Sequence, residues 1–169
     1  MNKCIFLDRD GVLNVDRVDY VYRLEDLIIP EGTIEALQKL KAAGYLLIVI
    51  TNQSGIAKGI YTREDVLMCH NYFQEQCGNL LDDIYFSPHH EKFTTASLTR
   101  KPDSLMIEKA IAKYKIDRNT SWMIGDAHRD ITAGKKAGVK TIHLTEKPEE
   151  SQSEITTSDL LRASELVLA

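Results

Sequence analysis

The amino-acid sequence predicts an α/β protein, a three-layer α/β/α sandwich with a mainly parallel central sheet and a cap made only of loops. Three observations predict it. Short apolar runs alternate with longer segments of helical period, the pattern of parallel strands joined by crossover helices. Glycines such as Gly44 and Gly138 stand where helical segments should stop. Polar clusters follow four of the apolar runs or their connecting loops, and in an open parallel sheet those strand ends line one crevice. With 169 residues, 43% of them hydrophobic, one core can form without metal or disulfide staples, so a single domain spanning 1–169 is expected.

Taken along the chain, Cys4 to Leu7 is the first strand candidate. Thr33 to Ala43 follows as a helix, with Ile34, Leu37 and Leu40 at three-residue steps before Gly44. Leu46 to Ile50 is the second strand. Thr62 to Gln76 begins with Thr62 and an acid at Asp65, close to a capping box, and reads as a helix. Asp83 to Phe86 is the third strand, and His89 to Lys101, without any period, is a loop long enough to carry function. Pro102 and Asp103 start the helix Ser104 to Tyr114. Trp122 to Ile124 is a strand, Asp130 to Ala137 a helix ending at Gly138, and Thr141 to Leu144 the fifth strand. The polar stretch Glu146 to Ser158 reads as a surface connection or the start of a loose tail, and Ala163 to Leu168 as a last apolar segment.

Charge narrows the classes of function. The chain carries 21 Lys and Arg against 25 Asp and Glu, a net charge of −4. Its pI of about 5.7 opposes non-specific binding to nucleic acid or to an anionic membrane. Cys4, Cys69 and Cys77 are odd in number and match no zinc spacing, so they read as buried apolar residues in a reducing compartment. Nothing at the start resembles a signal peptide, and no run approaches a membrane span. A cytoplasmic monomer with no nucleic-acid or membrane partner is expected.

The chemistry lies in the polar clusters: Asp8-Arg9-Asp10-Gly11 after the first strand, Thr51-Asn52-Gln53-Ser54-Gly55 after the second, Arg100-Lys101-Pro102 before the third helix, and Gly125-Asp126 after the fourth strand. Asp8, Asp10 and Asp126 would form a dense negative patch. At an effective dielectric of 20, charges about 4 Å apart interact by roughly 4 kcal/mol, so a hard divalent cation is their natural partner, and oxygen ligands favour magnesium. Lys101 and Thr51 opposite that cation would suit a phosphate dianion. A carboxylate nucleophile can split phosphate monoester hydrolysis into two steps, while a second carboxyl group protonates the leaving alkoxide and later activates water. Asp8 and Asp10 fit these two roles.

The runs CIFLDRDGVLN, LLIVITNQSGIAKG, RKPDSLMIEKA and MIGDAHRDI, in that order over residues 4 to 144, resemble the four motifs of the haloacid-dehalogenase superfamily of phosphatases. More narrowly, LDRDGVLN with TNQSGIAKG and RKP is similar to the family of D-glycero-D-manno-heptose 1,7-bisphosphate 7-phosphatases and histidinol-phosphate phosphatases. The resemblance implies a magnesium-dependent phosphatase acting on a small phosphorylated sugar through an aspartyl phosphate. It makes Asp8 the nucleophile and a magnesium ligand, and Asp10 the acid and base, bound to magnesium through its main-chain carbonyl. Asp126 would be a further magnesium ligand. Thr51 and Lys101 would hold the phosphoryl group with Asn52 beside them. Arg100 corresponds to a substrate-recognition arginine. Asp16 to Tyr20 correspond to a segment that touches the sugar, with one extra residue between them. Asp130 is placed behind the ligands rather than among them.

The chain departs from the family at a zinc loop. Where relatives carry Cys-Pro-His and Cys-x-Cys, this sequence has Ser87-Pro88-His89 and Ser97-Leu98-Thr99, so no structural zinc is expected and the loop needs another means of support. Histidinol phosphate is the alternative substrate within the same chemistry. The alternative of another class is a phosphate-binding module without catalysis. A polynucleotide 3′-phosphatase is disfavoured by the acidic balance.

Overall fold

The computed structural model describes residues Met1–Ala169. Its sheet has six strands, β1 (Cys4–Leu7), β2 (Leu46–Asn52), β3 (Asp83–Ser87), β4 (Trp122–Gly125), β5 (Lys140–Leu144) and β6 (Ile155–Thr157). Their order is β3-β2-β1-β4-β5-β6, and every pairing is parallel. The helices are α1 (Thr33–Ala42), α2 (Arg63–Gln76), α3 (Leu105–Tyr114), α4 (His128–Ala137) and α5 (Leu160–Leu168).

Alternation along the strands makes the three layers, since successive side chains leave a strand on opposite faces. Ile5 and Leu7 of β1, with Leu47 and Val49 of β2, pack against Leu37 and Leu40 of α1, Phe73 of α2 and Leu160 of α5. Cys4 and Phe6, with Ile48 and Ile50, point the other way, onto Met106 and Ile107 of α3 and Ala133 and Ala137 of α4. All three cysteines are buried free thiols. No helix is long and apolar enough to cross a membrane.

The local signals explain the element boundaries. Thr62 Oγ1 accepts from Asp65 N at 3.2 Å while the Asp65 carboxylate accepts from Thr62 N at 2.8 Å, a complete capping box that starts α2 at Arg63. The fourth helix begins at His128, two residues before the expected start, because Asp130 Oδ2 reaches back to accept from Ala127 N at 3.0 Å. The stretch read as a surface connection contains β6. Ile155, Thr156 and Thr157 pair with Ile142, His143 and Leu144 of β5, so a neighbouring strand edge gives extended structure to residues whose polar context signals a loop.

The strand order places the site. From β1 the chain winds outward through β2 and β3, then returns to the other side of β1 at β4, so the topological switch point lies between β1 and β4. No helical cap stands over it. The segments around the crevice are the 8–32 connection, which contains only one 3₁₀ turn at Leu24–Asp26, the 53–62 loop, and the 88–104 loop.

Candidate active site

The carboxyl end of β1 runs directly into Asp8. Its N–H donates to Ile124 O at 3.1 Å, which extends the β1–β4 ladder by one residue and fixes Asp8 beside Gly125 and Asp126. Asp8 is buried, and its Oδ1 accepts from Arg9 N at 2.7 Å and meets Lys101 Nζ at 2.9 Å. Both contacts fall on one oxygen, which leaves Oδ2 without a protein partner.

Lys101 is the most constrained charge in the molecule. It is 1% exposed; its ammonium group donates to the Ile50 carbonyl at 2.7 Å and forms ion pairs with Asp8 Oδ1 at 2.9 Å and Asp130 Oδ1 at 2.7 Å. Asn52 at the end of β2 clips the Lys101 backbone at both ends. Its Nδ2 donates to Lys101 O and its Oδ1 accepts from Lys101 N, each at 3.0 Å. Thr51 is fully buried, and its Oγ1 accepts from Gln53 Nε2 at 3.0 Å, so its own hydroxyl proton is free to donate to an anion.

Asp10 points away from Lys101. Its Oδ1 accepts from Arg9 Nε at 3.2 Å, Arg9 Nη2 at 2.9 Å and Asn14 Nδ2 at 3.0 Å, whereas its Oδ2 accepts only from Gln53 Nε2, at 3.1 Å. Burial pushes the Asp10 carboxyl up, but the Arg9 guanidinium and these hydrogen bonds outweigh it and hold the group below its ordinary pKa.

The opposite holds for the neighbouring carboxylates. Burial raises Asp8 to about 8, Asp130's charge adding to the effect and Lys101 opposing it. Burial and then Asp130 raise Asp126 to about 6, with Arg129 opposing. Carboxylate oxygens of Asp8, Asp126 and Asp130 lie within 4.8 Å of one another, and only one ammonium group sits among them. With all three ionised, two negative charges would be uncompensated, which is the repulsion that adds to burial in raising Asp8 and Asp126. Asp126 Oδ1 is buried and has no hydrogen-bond partner. Its Oδ2 lies 2.0 Å from where a Cβ on Gly11 would be, so only glycine lets the carboxylate come so near the Asp10–Gly11 backbone. A small, hard dication fits this donor set and this charge deficit.

The rim residues are placed differently. Asp16 is exposed and raised above its ordinary pKa, first by burial of its carboxyl and then by the charge of Asp10. Tyr20 is half-buried with φ 70°, and its hydroxyl is 2.6 Å from Lys58 Nζ. Arg100 turns back into its own loop, donating from Nη1 to His89 O at 3.3 Å, with Nε 3.6 Å from Glu91. A chain of hydroxyls links the end of β3 to the 88–104 loop. Ser87 Oγ lies 2.9 Å from Thr99 Oγ1, which lies 2.8 Å from Ser97 Oγ.

Sequence reasoning assigned no role to Arg9, Gln53, Lys58 or Tyr61. Arg9 and Gln53 lie inside the polar clusters and could have been found there. Lys58 lies inside the TNQSGIAKG run, but its partner Tyr20 is on another loop; Tyr61 carries no local signal, and only the folded loops bring it to the site.

The family model described as haloacid dehalogenase-like hydrolase matches residues 19–144. The chain belongs to that family. It is 43% identical over 157 residues, 88% of this chain and 85% of the relative, to the D-glycero-beta-D-manno-heptose-1,7-bisphosphate 7-phosphatase of Pasteurella multocida strain Pm70. It is 36% identical to the D-glycero-alpha-D-manno-heptose-1,7-bisphosphate 7-phosphatase of Photorhabdus laumondii, covering 98% of this chain and 96% of that one. Among solved family structures, the D,D-heptose 1,7-bisphosphate phosphatase of B. bronchiseptica, complexed with magnesium and phosphate, superposes with a TM-score of 0.89 at 26% identity, covering 98% of each chain.

Proposed function

We propose that this chain is a magnesium-dependent phosphatase that removes the 7-phosphate of D-glycero-D-manno-heptose 1,7-bisphosphate. One observation carries the reading. A buried carboxylate with a free oxygen, Asp8, stands beside a fully buried ammonium and within 4.8 Å of two further carboxylates, in a chain 43% identical to a phosphatase of that sugar.

Asp8 Oδ2 attacks phosphorus in line with the leaving oxygen and becomes the aspartyl phosphate. Lys101 and the Thr51 hydroxyl hold the non-bridging oxygens and offset the charge that would otherwise repel the nucleophile. Asp8, Asp126 and the Asp10 main-chain carbonyl would hold magnesium, which when bound supplies the remaining positive charge against the phosphoryl oxygens. Asp10 gives its proton to the departing sugar alkoxide and then takes one from the water that hydrolyses the aspartyl phosphate. In the substrate-free protein Asp10 is held as the carboxylate by Arg9, Asn14 and Gln53. An arriving phosphate dianion is the negative neighbour that raises its proton affinity, so Asp10 takes up a proton from solvent as the substrate binds, and that proton goes to the leaving oxygen. Asp130 stays behind Lys101 and aims its ammonium group.

The decisive experiment is a kcat/KM panel with both anomers of heptose 1,7-bisphosphate and histidinol phosphate, with and without magnesium. Wild type should prefer a heptose bisphosphate, and Asp8→Asn should release no phosphate from any of them. A preference for histidinol phosphate would replace the substrate assignment. Magnesium-dependent binding of phosphate without turnover would replace the enzyme with a binding module. We further propose that the hydroxyl chain of Ser87, Thr99 and Ser97 supports the 88–104 loop without zinc; elemental analysis finding about one zinc per chain would contradict this.

A further inference from the structure

Tyr61 lies outside the four motif clusters, yet it joins the rim of the crevice to Asp10. It is 6% exposed and follows the TNQSG segment of the 53–62 loop. Its ring stacks on Tyr22, with centroids 5.2 Å apart and planes at 19°, and meets Tyr20 edge-on at 5.8 Å. The ring occupies the space a side chain on residue 55 would need. A Cβ added to Gly55 would come 1.9 Å from Tyr61 Cε1, so the glycine and the tyrosine are a matched pair.

The polar end of the ring continues the path inward. Tyr61 OH donates to Gln53 Oε1 at 2.8 Å, and Gln53 Nε2 donates to Asp10 Oδ2 at 3.1 Å and to Thr51 Oγ1 at 3.0 Å. Burial pushes the phenol up, to about 12, so it remains a hydrogen-bond donor at neutral pH. Gln53 is itself 1% exposed, and Tyr61 supplies the donor for its carbonyl oxygen. Without that donor a buried carbonyl oxygen would be unpaired, and the amide would be free to swing or turn over. Turned over, it would set an oxygen against the Asp10 carboxylate.

The two oxygens of Asp10 are not equivalent. Oδ1 already receives three hydrogen bonds from Arg9 and Asn14, whereas Oδ2 receives one, from Gln53. Oδ2 is therefore the oxygen with capacity to carry a proton to and from the substrate.

We infer that Tyr61 is a positioning residue for the acid–base step: its hydroxyl locks the Gln53 amide, and Gln53 in turn aims Asp10 Oδ2 at the leaving-group oxygen. The inference rests on the phosphatase reading given above. Because Tyr61 also packs against Tyr20 and Tyr22, the same ring ties the sugar-side loop to the acid. No bond is made or broken by Tyr61; the proton passes from Asp10 to the leaving oxygen.

The test uses leaving groups of different basicity. The ratio kcat/KM includes events only up to the first irreversible step, here departure of the alcohol. A sugar alkoxide needs the proton as it leaves, whereas p-nitrophenolate leaves without one. Tyr61→Phe keeps the ring and its packing. Its kcat/KM for heptose 1,7-bisphosphate should fall about ten-fold or more, with less than about a two-fold change for p-nitrophenyl phosphate, and its Tm should drop by only a few degrees, the cost of one unpaired buried oxygen. Gln53→Leu removes the link to Asp10 and the bond to Thr51 together, so it should lose at least as much on heptose 1,7-bisphosphate and lose activity on p-nitrophenyl phosphate as well. Equal losses on both esters in Tyr61→Phe, or no loss on either, would overturn the inference. Wild type that hydrolyses neither ester would instead defeat the phosphatase reading, and the two failures are distinguishable.

Discussion

The floor of the crevice and its rim are built on different principles. At the floor, Asp8, Thr51, Asn52 and Asp126 leave the ends of strands, and Lys101 is clamped to them by both its ammonium group and its backbone. Four of these groups are held by contacts that cross from one element to another. At the rim, Asp16, Tyr20 and Arg100 sit on connections, and Asp16 and Arg100 are held by neighbours within a few residues of the same loop or, for Arg100, by His89 and Glu91. Rigid strand ends place charges to fractions of an ångström, as phosphoryl transfer requires. Loops hold residues that can differ between relatives without disturbing the chemistry. On the proposed function, reaction type is assigned to the floor and substrate choice to the rim.

The largest effect should come from the floor. Lys101→Met removes one partner from a buried set of charges, and Asp8 and Asp130 are then left close together without an ammonium group. Breaking such a pair from one side costs roughly 3–5 kcal/mol. The loss of an electrostatic partner to the phosphoryl group should lower kcat/KM by about 10²–10³-fold. Urea unfolding and steady-state kinetics on one preparation measure both. A variant with unchanged stability would mean that the floor is not organised around this lysine.

A smaller effect concerns acid. His70 on α2 is buried behind the floor near Arg9 and Asn14, its Nε2 has no partner, and burial lowers its pKa to about 3. In the unfolded chain it titrates near 6.5, so between these values the unfolded state binds a proton that the folded state does not. The stability contributed by the neutral imidazole is complete above about pH 6.5 and is lost as the pH falls toward 3. At about 1.4 kcal/mol per pH unit, the loss between pH 6.5 and 5 is about 2 kcal/mol. Unfolding curves at pH 7 and pH 5 should therefore show wild type losing about 2 kcal/mol more than His70→Leu, and equal losses would contradict the burial.

The smallest effect belongs to the rim. Thr99→Val removes the central hydroxyl of the Ser87–Thr99–Ser97 chain and should cost about 1 kcal/mol of stability. Because Thr99 precedes Arg100 and Lys101, KM for the sugar phosphate should rise several-fold while kcat for p-nitrophenyl phosphate holds. An equal fall in kcat on both esters would show that the loop serves the floor rather than the rim.

The same division explains what the sequence alone revealed. Asp8, Thr51 and Asp126 stand next to apolar runs whose period announces strands, so strand ends and charges could be read together; Lys101 stands in an aperiodic loop and was legible only through the Arg-Lys-Pro motif before a helix start. Asp130 was legible as an acid near a helix start, but its bond to Lys101 spans 29 positions and has no local trace. Strand β6 was missed because Ile155 to Thr157 become extended by pairing with β5, and nothing in the serine-rich stretch around them signals it. The role of Tyr61, and the partners of Lys58, were invisible for a related reason. Gln53, Tyr20, Tyr22 and Phe93 gather around them only once three loops have closed. Contacts made by rigid, periodic elements leave a pattern in the sequence, whereas contacts between loops do not.

Transient phosphorylation of Asp8 can be measured directly. The magnesium-loaded enzyme is mixed with excess heptose 1,7-bisphosphate, quenched in acid within the first turnover, trapped chemically and mapped by peptide mass spectrometry. The expected result is a phosphoryl group on Asp8 that appears before the bulk of free phosphate and is absent in Asp8→Asn. Phosphate release with no labelled carboxylate, or with the label on another residue, would contradict it.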